Sequence, residues 1–273
     1  MLHGSRLFSP AKRGKQMAPH DLLTALRDQN PLVHCITNYV AMNIAANVVL
    51  AAGASPAMVH APEEIAEFTP ICGALTINIG TISTPWQASM MAAAATASAQ
   101  NIPWVLDPVA HFISVYRREA AQQLLAQRPT ILRGNASEIL ALTGETGAGK
   151  GADSGDSVDA AQGAAKKLAA QFGTVVAITG PVDYLTDGTR EAQVSGGSSL
   201  MPQVTALGCS QTALMGAYAA TGPAFDAALA ALAHFKVAGS TAAQRADGPG
   251  SFQMHFLDAL ANTQPFELAQ VIR

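Results

Sequence analysis

A glycine-containing turn followed by a run of small residues is the first feature that could do chemistry. Ala206, Leu207, Gly208 and Cys209 precede residues 210–217, which are mostly small or apolar and typical of a helix. The free N–H groups and the positive dipole end of a helix N-terminus suit a phosphoryl group in transfer. Cys209 would lie at that helix start, where the pKa of a thiol falls and the thiol becomes a modest base or a reactive thiolate. A buried structural cysteine is the alternative, and the turn alone leaves both open.

Two acidic residues follow strand-like runs. Asp107 ends one apolar run, and Pro108 after it would terminate the strand and fix the carboxylate at the rim of a sheet. Glu138 lies three residues after Asn135, close behind another apolar run. Mg²⁺ prefers one or two carboxylates together with phosphate oxygens and retained waters, so this pair of acids would suffice. The structural alternatives are a turn-forming Asp-Pro and a helix N-terminus with Asn135 as cap and Glu138 as capping-box partner.

Residues 144–150 match the first seven places of a phosphate-binding P-loop. Gly151, however, stands where a Ser or Thr must supply a hydroxyl to Mg²⁺, and a helix-like run rather than a strand precedes the segment. A solvated, mobile loop over residues 144–155 that could fold over a ligand fits the composition better. No histidine pair has the HExxH spacing, no GxSxG occurs and no GxGxxG follows a strand-like run, which disfavours zinc enzymes, serine hydrolases and dinucleotide oxidoreductases.

The composition of the 273 residues is that of a compact protein with a sizeable core. Hydrophobic residues make up 49% and charged residues 13%, which excludes disorder, collagen and coiled coil. The net charge of −3 and the lack of a basic cluster disfavour nucleic acid and anionic membranes as partners. The most apolar tract, residues 213–235, is broken by glycine, proline and aspartate, and it lacks the ~20 apolar residues of a membrane span. Three cysteines without a CxxC pair indicate a reducing cytoplasm.

We expect one domain over residues 18–273, behind a leader at residues 1–17. The leader carries four basic residues but no apolar run long enough for a signal peptide, so it is interpreted as disordered, as a tag, or as an upstream start ahead of Met17. Beyond it, short apolar runs alternate with alanine-rich stretches of helical length, which predicts an α/β fold. The strand candidates are Ala74 to Ile79, Trp104 to Val109, Thr130 to Leu132 and Val175 to Thr179, and the helix candidates are residues 84–99, 117–127 and 158–171.

The strand candidates are apolar on both faces, as in a parallel sheet covered by helices on both sides. After Val194 the pattern changes to a polar turn and then to mostly helical sequence, with apolar side chains spaced three or four apart between Phe225 and Phe235. The C-terminal third is therefore predicted to form a helical layer.

Taken together, eight short motifs resemble the hydroxyethylthiazole kinase family of thiamine salvage over roughly residues 20 to 262. They are Asn38-Tyr39-Val40, residues 53–58, residues 77–81, Leu106-Asp107-Pro108-Val109, residues 133–138, residues 177–180, Gly208-Cys209 and residues 248–252. The resemblance implies a ribokinase-like fold, with a central mostly parallel sheet between helical layers. It also implies a homotrimer with active sites at subunit boundaries, and phosphorylation of the primary alcohol of 4-methyl-5-(2-hydroxyethyl)thiazole with ATP and Mg²⁺.

The resemblance also implies roles for individual residues. Met58 and Ala206 are assigned to the thiazole pocket, with Asn38 and Val40 as its neighbouring wall. Contacts to the nucleotide are assigned to Arg133, Thr179, Asn135 and Gly208, and Asp107 and Glu138 are the acids near Mg²⁺. Cys209 matches the residue beside the substrate hydroxyl, where related sugar kinases carry an aspartate base.

The chain departs from the family pattern in two places. The usual glycine-rich turn reads Ala206-Leu207-Gly208 here, so a leucine replaces a small residue at the anion-binding turn. Alanine also adopts a positive φ less cheaply than glycine does. If the turn needs that backbone, the phosphate cradle would be distorted and turnover reduced. After Asp-Pro-Val, a small glycine-rich run is replaced by residues 110–112, which places bulk near a substrate or subunit boundary. The alternatives are therefore a catalytically impaired thiazole- or nucleotide-binding relative, or another ribokinase-like enzyme such as a hydroxymethylpyrimidine kinase.

Overall fold

One sheet runs through the residues that the computed structural model describes, 16–144 and 157–273. Its strands are β1 (Leu32–Ile36), β2 (Ser55–Ala57), β3 (Ala74–Asn78), β4 (Trp104–Asp107), β5 (Ile131–Asn135), β6 (Val175–Thr179), β7 (Asp183–Thr186) and β8 (Glu191–Val194). The spatial order is β2-β1-β3-β4-β5-β6-β7-β8. The pairs from β2 through β6 are parallel, and β7 and β8 add an antiparallel edge.

Helices connect the parallel strands and form the C-terminal layer. They are α1 (Pro19–Gln29), α2 (Met42–Ala52), α3 (Ile65–Phe68), α4 (Thr84–Gln100), α5 (Val115–Ala126), α6 (Ala136–Leu142), α7 (Ser157–Phe172), α8 (Leu207–Ala219), α9 (Ala224–Ala243) and α10 (Pro249–Asn262). Short 3-10 segments lie at Thr69–Ile71, His111–Ile113, Met201–Gln203 and Pro265–Val271.

The sheet has a hydrophobic core on each face. Along β6, Val175 and Ala177 join the core that lies against α1, α2 and α8 to α10, while Val176 and Ile178 join the core against α4 to α7. Each inner strand therefore buries side chains on both faces, which is why these strands read as continuous apolar runs in the sequence. The predicted α/β class and the helical C-terminal layer are confirmed.

The predicted elements are all present, with shifted ends. The strand that starts at Trp104 ends at Asp107, as expected from the following proline, whereas β5 continues beyond Leu132 to Asn135 because it pairs with β6 over that length. Four strands were not predicted from the sequence: β2 and β8, which are the two edge strands, and β1 and β7, which lie next to them. Residues 145–155 of the expected mobile loop, and residues 1–15 of the expected leader, lie outside the described residues.

Helix α8 approaches the sheet closely because of one glycine. Gly216 lies against β3, and a Cβ at this position would collide with the side chain of Thr76. A close backbone approach of this kind is a common reason for glycine inside a helix. It lets α8 pack on β1, β3 and β4, and it sets the start of the helix, at Leu207 to Cys209, near the carboxyl ends of those strands.

Candidate active site

Polar side chains collect at the carboxyl edge of the parallel strands. Asn78 and Asp107 end β3 and β4, Thr179 ends β6, and Asn38 follows β1. The carboxyl ends of parallel strands lie at the same edge of an open α/β sheet, where such folds bind their ligands. Hydrogen bonds described below join these side chains into one network that also includes the first turn of α8.

Asp107 is fully buried, and its two carboxylate oxygens have different environments. Oδ2 accepts hydrogen bonds from Asn78 Nδ2 at 2.8 Å, from Thr212 Oγ1 at 2.6 Å and from Arg133 Nη1 at 3.1 Å. Oδ1 has no hydrogen-bond partner among the described residues. Three donors thus fix the carboxylate through one oxygen and leave the other available to a ligand. Burial raises the pKa of Asp107 to about 6, Arg133 opposes that rise, and Glu138 adds to it.

Arg133 links Asp107 at the end of β4 to Thr179 at the end of β6. Its Nη1 bonds to Asp107, while Nη2 donates to Thr179 Oγ1 at 2.6 Å. Burial disfavours the guanidinium charge, but Asp107 and Glu138 more than offset this and raise the pKa of Arg133. Gly208 leaves room for the guanidinium, since a Cβ there would lie 3.1 Å from Arg133 Nη2. The cation is therefore fixed beneath the first turn of α8.

Glu138 forms the capping box that was the structural alternative at this position. Its Oε2 accepts from Asn135 N at 2.8 Å, and Asn135 Oδ1 accepts from Glu138 N at 2.9 Å, so both residues cap α6. Glu138 Oε1 also accepts from Ala110 N at 3.0 Å, which ties the loop after β4 to α6. The carboxylate is buried and close enough to Asp107 to perturb it. Capping therefore fixes Glu138 beside a second acid.

Cys209 lies in the first turn of α8, as the sequence predicts, but the expected fall in its pKa is wrong. Burial raises the pKa of the thiol, and the nearby Asp107 carboxylate raises it further. These two effects exceed the stabilisation of a thiolate by Arg133 and by the side chains of Asn78 and Asn38. Asn38 Nδ2 lies 3.4 Å from Cys209 Sγ and 2.8 Å from Asn78 Oδ1. Cys209 is therefore linked to Asp107 through two asparagine side chains.

Met58 and Val40 lie on neighbouring segments at the same edge of the sheet. Met58 directly follows β2, which pairs in parallel with β1, and it packs half-buried against the core that also contacts Ala206. Val40 is 56% exposed, two residues beyond Asn38. The structure thus brings the predicted pocket residues to the edge that carries Cys209 and Asp107.

A model of the hydroxyethylthiazole kinase family matches residues 23–265. The chain belongs to the hydroxyethylthiazole kinase family. A hydroxyethylthiazole kinase of Rhizobium rhizogenes is 61% identical over 245 residues, which cover 89% of this chain and 91% of that relative. The structure of a hydroxyethylthiazole kinase from Pyrococcus horikoshii superposes with a TM-score of 0.87 at 36% identity, covering 93% of this chain and 98% of the other.

The fold comparison extends to more distant proteins. A ribokinase-like superfamily protein of Enterococcus faecalis has a TM-score of 0.62 at 10% identity, with 94% of this chain and 98% of that chain covered, and it shows the fold alone. The predicted ribokinase-like fold is confirmed. As a member of the hydroxyethylthiazole kinase family, the chain is a phosphotransferase that takes ATP as phosphoryl donor and a small molecule as acceptor.

The turn that departs from the family pattern does adopt the backbone that favours glycine. Ala206 has φ 58° and ψ 12°, in the left-handed region, and caps the start of α8. Leu207, the other changed residue of this turn, does not crowd the turn, because its side chain is 2% exposed and lies in the core. The strain is therefore confined to one alanine, at a cost of about 1 kcal/mol relative to glycine.

The second departure from the family pattern, at residues 110–112, leads into an exposed apolar strip. Ala110 also has a positive φ, 49°, and His111 is buried with Nδ1 at 3.2 Å from Pro108 O. Beyond it the chain exposes large apolar side chains that are not covered by the described residues. These are Phe112 (44% exposed), Ile113 (64%), Val115 (61%) and Tyr116 (38%), and we refer to them as the 112–116 strip.

Three residues that organise the edge of the sheet were not among the predicted site residues. Thr212 and Asn78 bond to Asp107, and Asn78 was noticed only as part of a motif. His60 lies 3.1 Å from Met58 O through Nδ1 and 3.4 Å from Thr37 O through Nε2, and stacks on Trp86 with ring centroids 4.4 Å apart. His60 thus bridges the two segments that carry the predicted pocket residues. Only Asn78, at the end of an apolar run, had a signal in the sequence, because Thr212 lies within α8.

Two other expectations concern membranes and the P-loop match. Among the described residues, no helix is long and apolar enough to cross a membrane. Within the same residues no group of three or more His, Cys, Asp or Glu side chains forms a ready metal cluster. Apart from Gly144, the P-loop-like segment lies outside the described residues. A solvated loop at residues 144–155 therefore stays a prediction.

Proposed function

We propose that the chain transfers the γ-phosphoryl group of ATP to the primary alcohol of 4-methyl-5-(2-hydroxyethyl)thiazole, as a cytoplasmic enzyme of thiamine salvage. The hydroxyl oxygen attacks the γ-phosphorus, the bond to the β,γ-bridging oxygen breaks, and the products are the thiazole monophosphate and ADP. The observation that carries this proposal is the network from Cys209 through Asn38 and Asn78 to Asp107. A cytoplasmic site is supported by the three cysteines, which are free.

The thiazole ring is proposed to bind between the segments that follow β1 and β2. Met58 and Ala206 would contact the ring, with Asn38 and Val40 as the adjoining wall. Support comes from the common edge on which these residues lie and from the core that Met58 and Ala206 share. An apolar pocket with a few polar groups at one end suits a small heterocycle whose alcohol must point in one direction.

The phosphates of ATP are proposed to lie over Arg133, Thr179 and the first turn of α8. Arg133 and Thr179 are already joined by a hydrogen bond, and Gly208 lets the guanidinium lie under the helix start. A fixed cation and free helix N–H groups stabilise the charge that spreads over the transferred group. Asn135 would add a contact beyond β5, although its Oδ1 serves as the cap of α6.

Asp107 and Glu138 fit a Mg²⁺ ion that is held with phosphate oxygens and waters. The Asp107 Oδ1 atom is buried without a partner among the described residues, and Glu138 lies close to it. A single free carboxylate oxygen with a second acid nearby matches the sparse protein coordination that Mg²⁺ tolerates. When bound, Mg²⁺ would neutralise charge on the β- and γ-phosphate oxygens.

Cys209 is proposed to hold the substrate hydroxyl and to receive its proton late in the reaction. Its raised pKa leaves Cys209 mostly a neutral thiol, so only the small fraction present as thiolate can accept the proton. Phosphoryl transfer has a loose transition state in which positioning and charge stabilisation contribute most, and strong base assistance is not required. Asn38 Nδ2 would stabilise the thiolate until its sulfur lone pair takes up the proton, whose bonding electrons stay on the attacking oxygen.

A homotrimer with sites at subunit boundaries completes the proposal. The 112–116 strip supports it, because large exposed apolar patches on a globular chain mark interaction surfaces. The strip directly follows the loop that Glu138 holds through Ala110, so a partner covering it would lie beside the proposed site.

Coupled measurement of ADP release tests the proposed activity. The protein is given ATP and Mg²⁺ with the hydroxyethylthiazole, with hydroxymethylpyrimidine, or with no acceptor. ADP release that depends on the thiazole is the expected result. A thiazole that stabilises the protein in a thermal-shift assay without ADP release would instead identify an impaired, binding-only relative.

A further inference from the structure

A buried ion pair lies beneath the turn between β6 and β7, outside the residues assigned above. Asp183, 1% exposed, begins β7, and Lys236, 4% exposed, projects from α9. Their charged atoms, Asp183 Oδ1 and Lys236 Nζ, are 3.3 Å apart. Burying two charges is costly, so a pair of this kind needs further hydrogen bonds to be retained.

Lys236 uses all of its hydrogen-bonding capacity on this turn. Besides Asp183, Nζ donates to Gly180 O at 2.6 Å and to Pro181 O at 3.1 Å. An ammonium group has three donors, and three acceptors surround this one. Asp183 Oδ1 accepts in turn from Gly180 N at 2.9 Å. The N–H and the C=O of Gly180 are therefore both held by the ion pair.

The stem of Lys236 packs against a glycine. Gly197 has φ +80°, and a Cβ there would lie 3.2 Å from Lys236 Cδ. Gly197 N also donates to Lys236 O at 3.1 Å. Gly197 thus leaves space for the lysine stem and bonds to the Lys236 backbone, in addition to the three contacts that Nζ makes.

The turn held by Lys236 starts at Thr179, which is bonded to Arg133. Arg133 Nη2 donates to Thr179 Oγ1, and Thr179 Oγ1 donates to Gly134 O at 3.4 Å. The Arg133 charge also acts on Asp183, whose Oδ2 has no hydrogen-bond partner among the described residues. The ion pair is therefore coupled to Arg133 in two ways: through the hydrogen bonds of the turn that starts at Thr179, and through the electrostatic effect of Arg133 on Asp183.

We propose that Lys236 and Asp183 are positioning residues for the nucleotide phosphates. By fixing the Gly180 and Pro181 peptides, the pair holds Thr179 and Arg133 in the geometry that meets the phosphates. A displacement of about 1 Å at such groups costs a large factor in transfer, which explains why a costly buried pair is used. The inference rests on the nucleotide contacts assigned to Arg133 and Thr179 under the proposed function.

The test replaces both charges at once, because Lys236→Met alone would leave Asp183 buried without its partner. In Asp183→Asn with Lys236→Met, the asparagine still accepts from Gly180 N and the methionine retains much of the stem. The single variant Asp183→Asn provides the comparison if the double variant does not fold. Tyr218→Phe is the matched control. It removes a buried hydrogen bond of 2.9 Å between Tyr218 on α8 and His234, and His234 lies on α9 with Lys236.

Affinity for ADP with Mg²⁺ is measured by calorimetry, together with KM for ATP and KM for the thiazole. We expect ADP affinity to fall about tenfold and KM for ATP to rise about tenfold, with KM for the thiazole within about twofold. Tyr218→Phe is expected to lower the melting temperature and leave ADP affinity unchanged. Unchanged ADP affinity in a folded charge-pair variant would overturn the proposal, as would a wild-type protein that binds no ADP.

The two proposals fail in different ways. A wild-type protein that binds ADP but shows no thiazole-dependent ADP release would contradict the proposed function, while the effect of the charge pair on ADP affinity would still decide the role of Lys236 and Asp183. Equal losses of ADP and thiazole affinity in the charge-pair variant would show a general structural role and overturn the proposal.

Discussion

Arg133 Nη1 lies 3.1 Å from Asp107 Oδ2 in an ion pair that is almost completely removed from solvent. The pair leaves Asp107 Oδ1 free among the described residues, so one oxygen is fixed and the other is available. A buried acid and base at the edge of a parallel sheet, next to a helix start, is the arrangement on which the proposed phosphoryl transfer depends.

The protonation state of Asp107 predicts the acidic limb of the pH profile. Its pKa is raised to about 6, so the carboxylate is ionised above that pH and becomes protonated as the pH falls through it. Protonation removes the charge that faces Arg133 and the proposed Mg²⁺. We expect kcat/KM for ATP to fall about tenfold per pH unit below about 6.

The stability of the folded chain should not fall together with kcat/KM as the pH is lowered. Because the pKa in the folded chain lies above the ordinary value of 3.8, the folded state binds this proton more tightly than the unfolded state does. The contribution of Asp107 to stability therefore grows as the pH falls from about 6 towards about 4. Melting temperatures and rates measured on the same samples separate the two effects. Constant kcat/KM down to about pH 5 would contradict the assignment.

Replacement of Cys209 by alanine tests its proposed position beside the hydroxyl. Because the thiol's pKa is raised and proton removal is late, we expect kcat to fall by about 10- to 100-fold, at the low end of general-base effects. KM for the thiazole should stay within about twofold. Steady-state kinetics of Cys209→Ala and of the control Cys72→Ala, far along the chain from the site, make the comparison. An unchanged kcat in Cys209→Ala would disprove the role.

The prediction for Glu138 separates its capping role from its proposed metal role. Gln at this position still accepts one backbone N–H, so Glu138→Gln should lower the free energy of unfolding by about 1 kcal/mol. Loss of the negative charge should raise the Mg²⁺ concentration for half-maximal activity about tenfold. Ser114→Ala is the control, because Ser114 caps α5 by accepting from Arg117 N at 3.2 Å. If Glu138→Gln and Ser114→Ala changed the Mg²⁺ dependence equally, Glu138 would act only as a helix cap.

The strained turn at Ala206 predicts a stabilising substitution. Glycine relieves the left-handed backbone but adds freedom to the unfolded chain, so Ala206→Gly should raise the free energy of unfolding by about 0.5 kcal/mol. Ala95→Gly, in the exposed middle of α4, is the same substitution in right-handed helix and should lower it by about 0.5 to 1 kcal/mol. Denaturant unfolding measures both. A loss of stability in Ala206→Gly would show that the turn carries no strain.

The sequence was informative wherever a local pattern determines the structure. The apolar runs of β3 to β6, the stop at Pro108 and the Asn135–Glu138 capping box depend on residues that are close in the chain. The lowered pKa expected for Cys209 was wrong because it considered the helix start and not the burial beside Asp107, 102 positions away in the chain. Long-range contacts of this kind arise only when the sheet assembles.

Long-range contacts also explain why the roles of Thr212 and Lys236 were not predicted. Thr212 bonds to Asp107 across 105 positions, and Lys236 reaches Gly180 across 56. Neither threonine in a helix nor lysine in an alanine-rich helix has a local pattern that indicates such a partner. The Leu207 substitution was judged a threat to the turn, yet a helix start places that side chain in the core.

The central claim is that this site phosphorylates the thiazole alcohol in preference to related acceptors. An equimolar mixture of the hydroxyethylthiazole and hydroxymethylpyrimidine, incubated with the protein, ATP and Mg²⁺, gives the ratio of kcat/KM values directly from the phosphorylated products seen by ³¹P NMR. The account predicts thiazole monophosphate as the main product, in equal amount to the ADP formed. A pyrimidine phosphate as the main product, or ADP without any thiazole monophosphate, would contradict it.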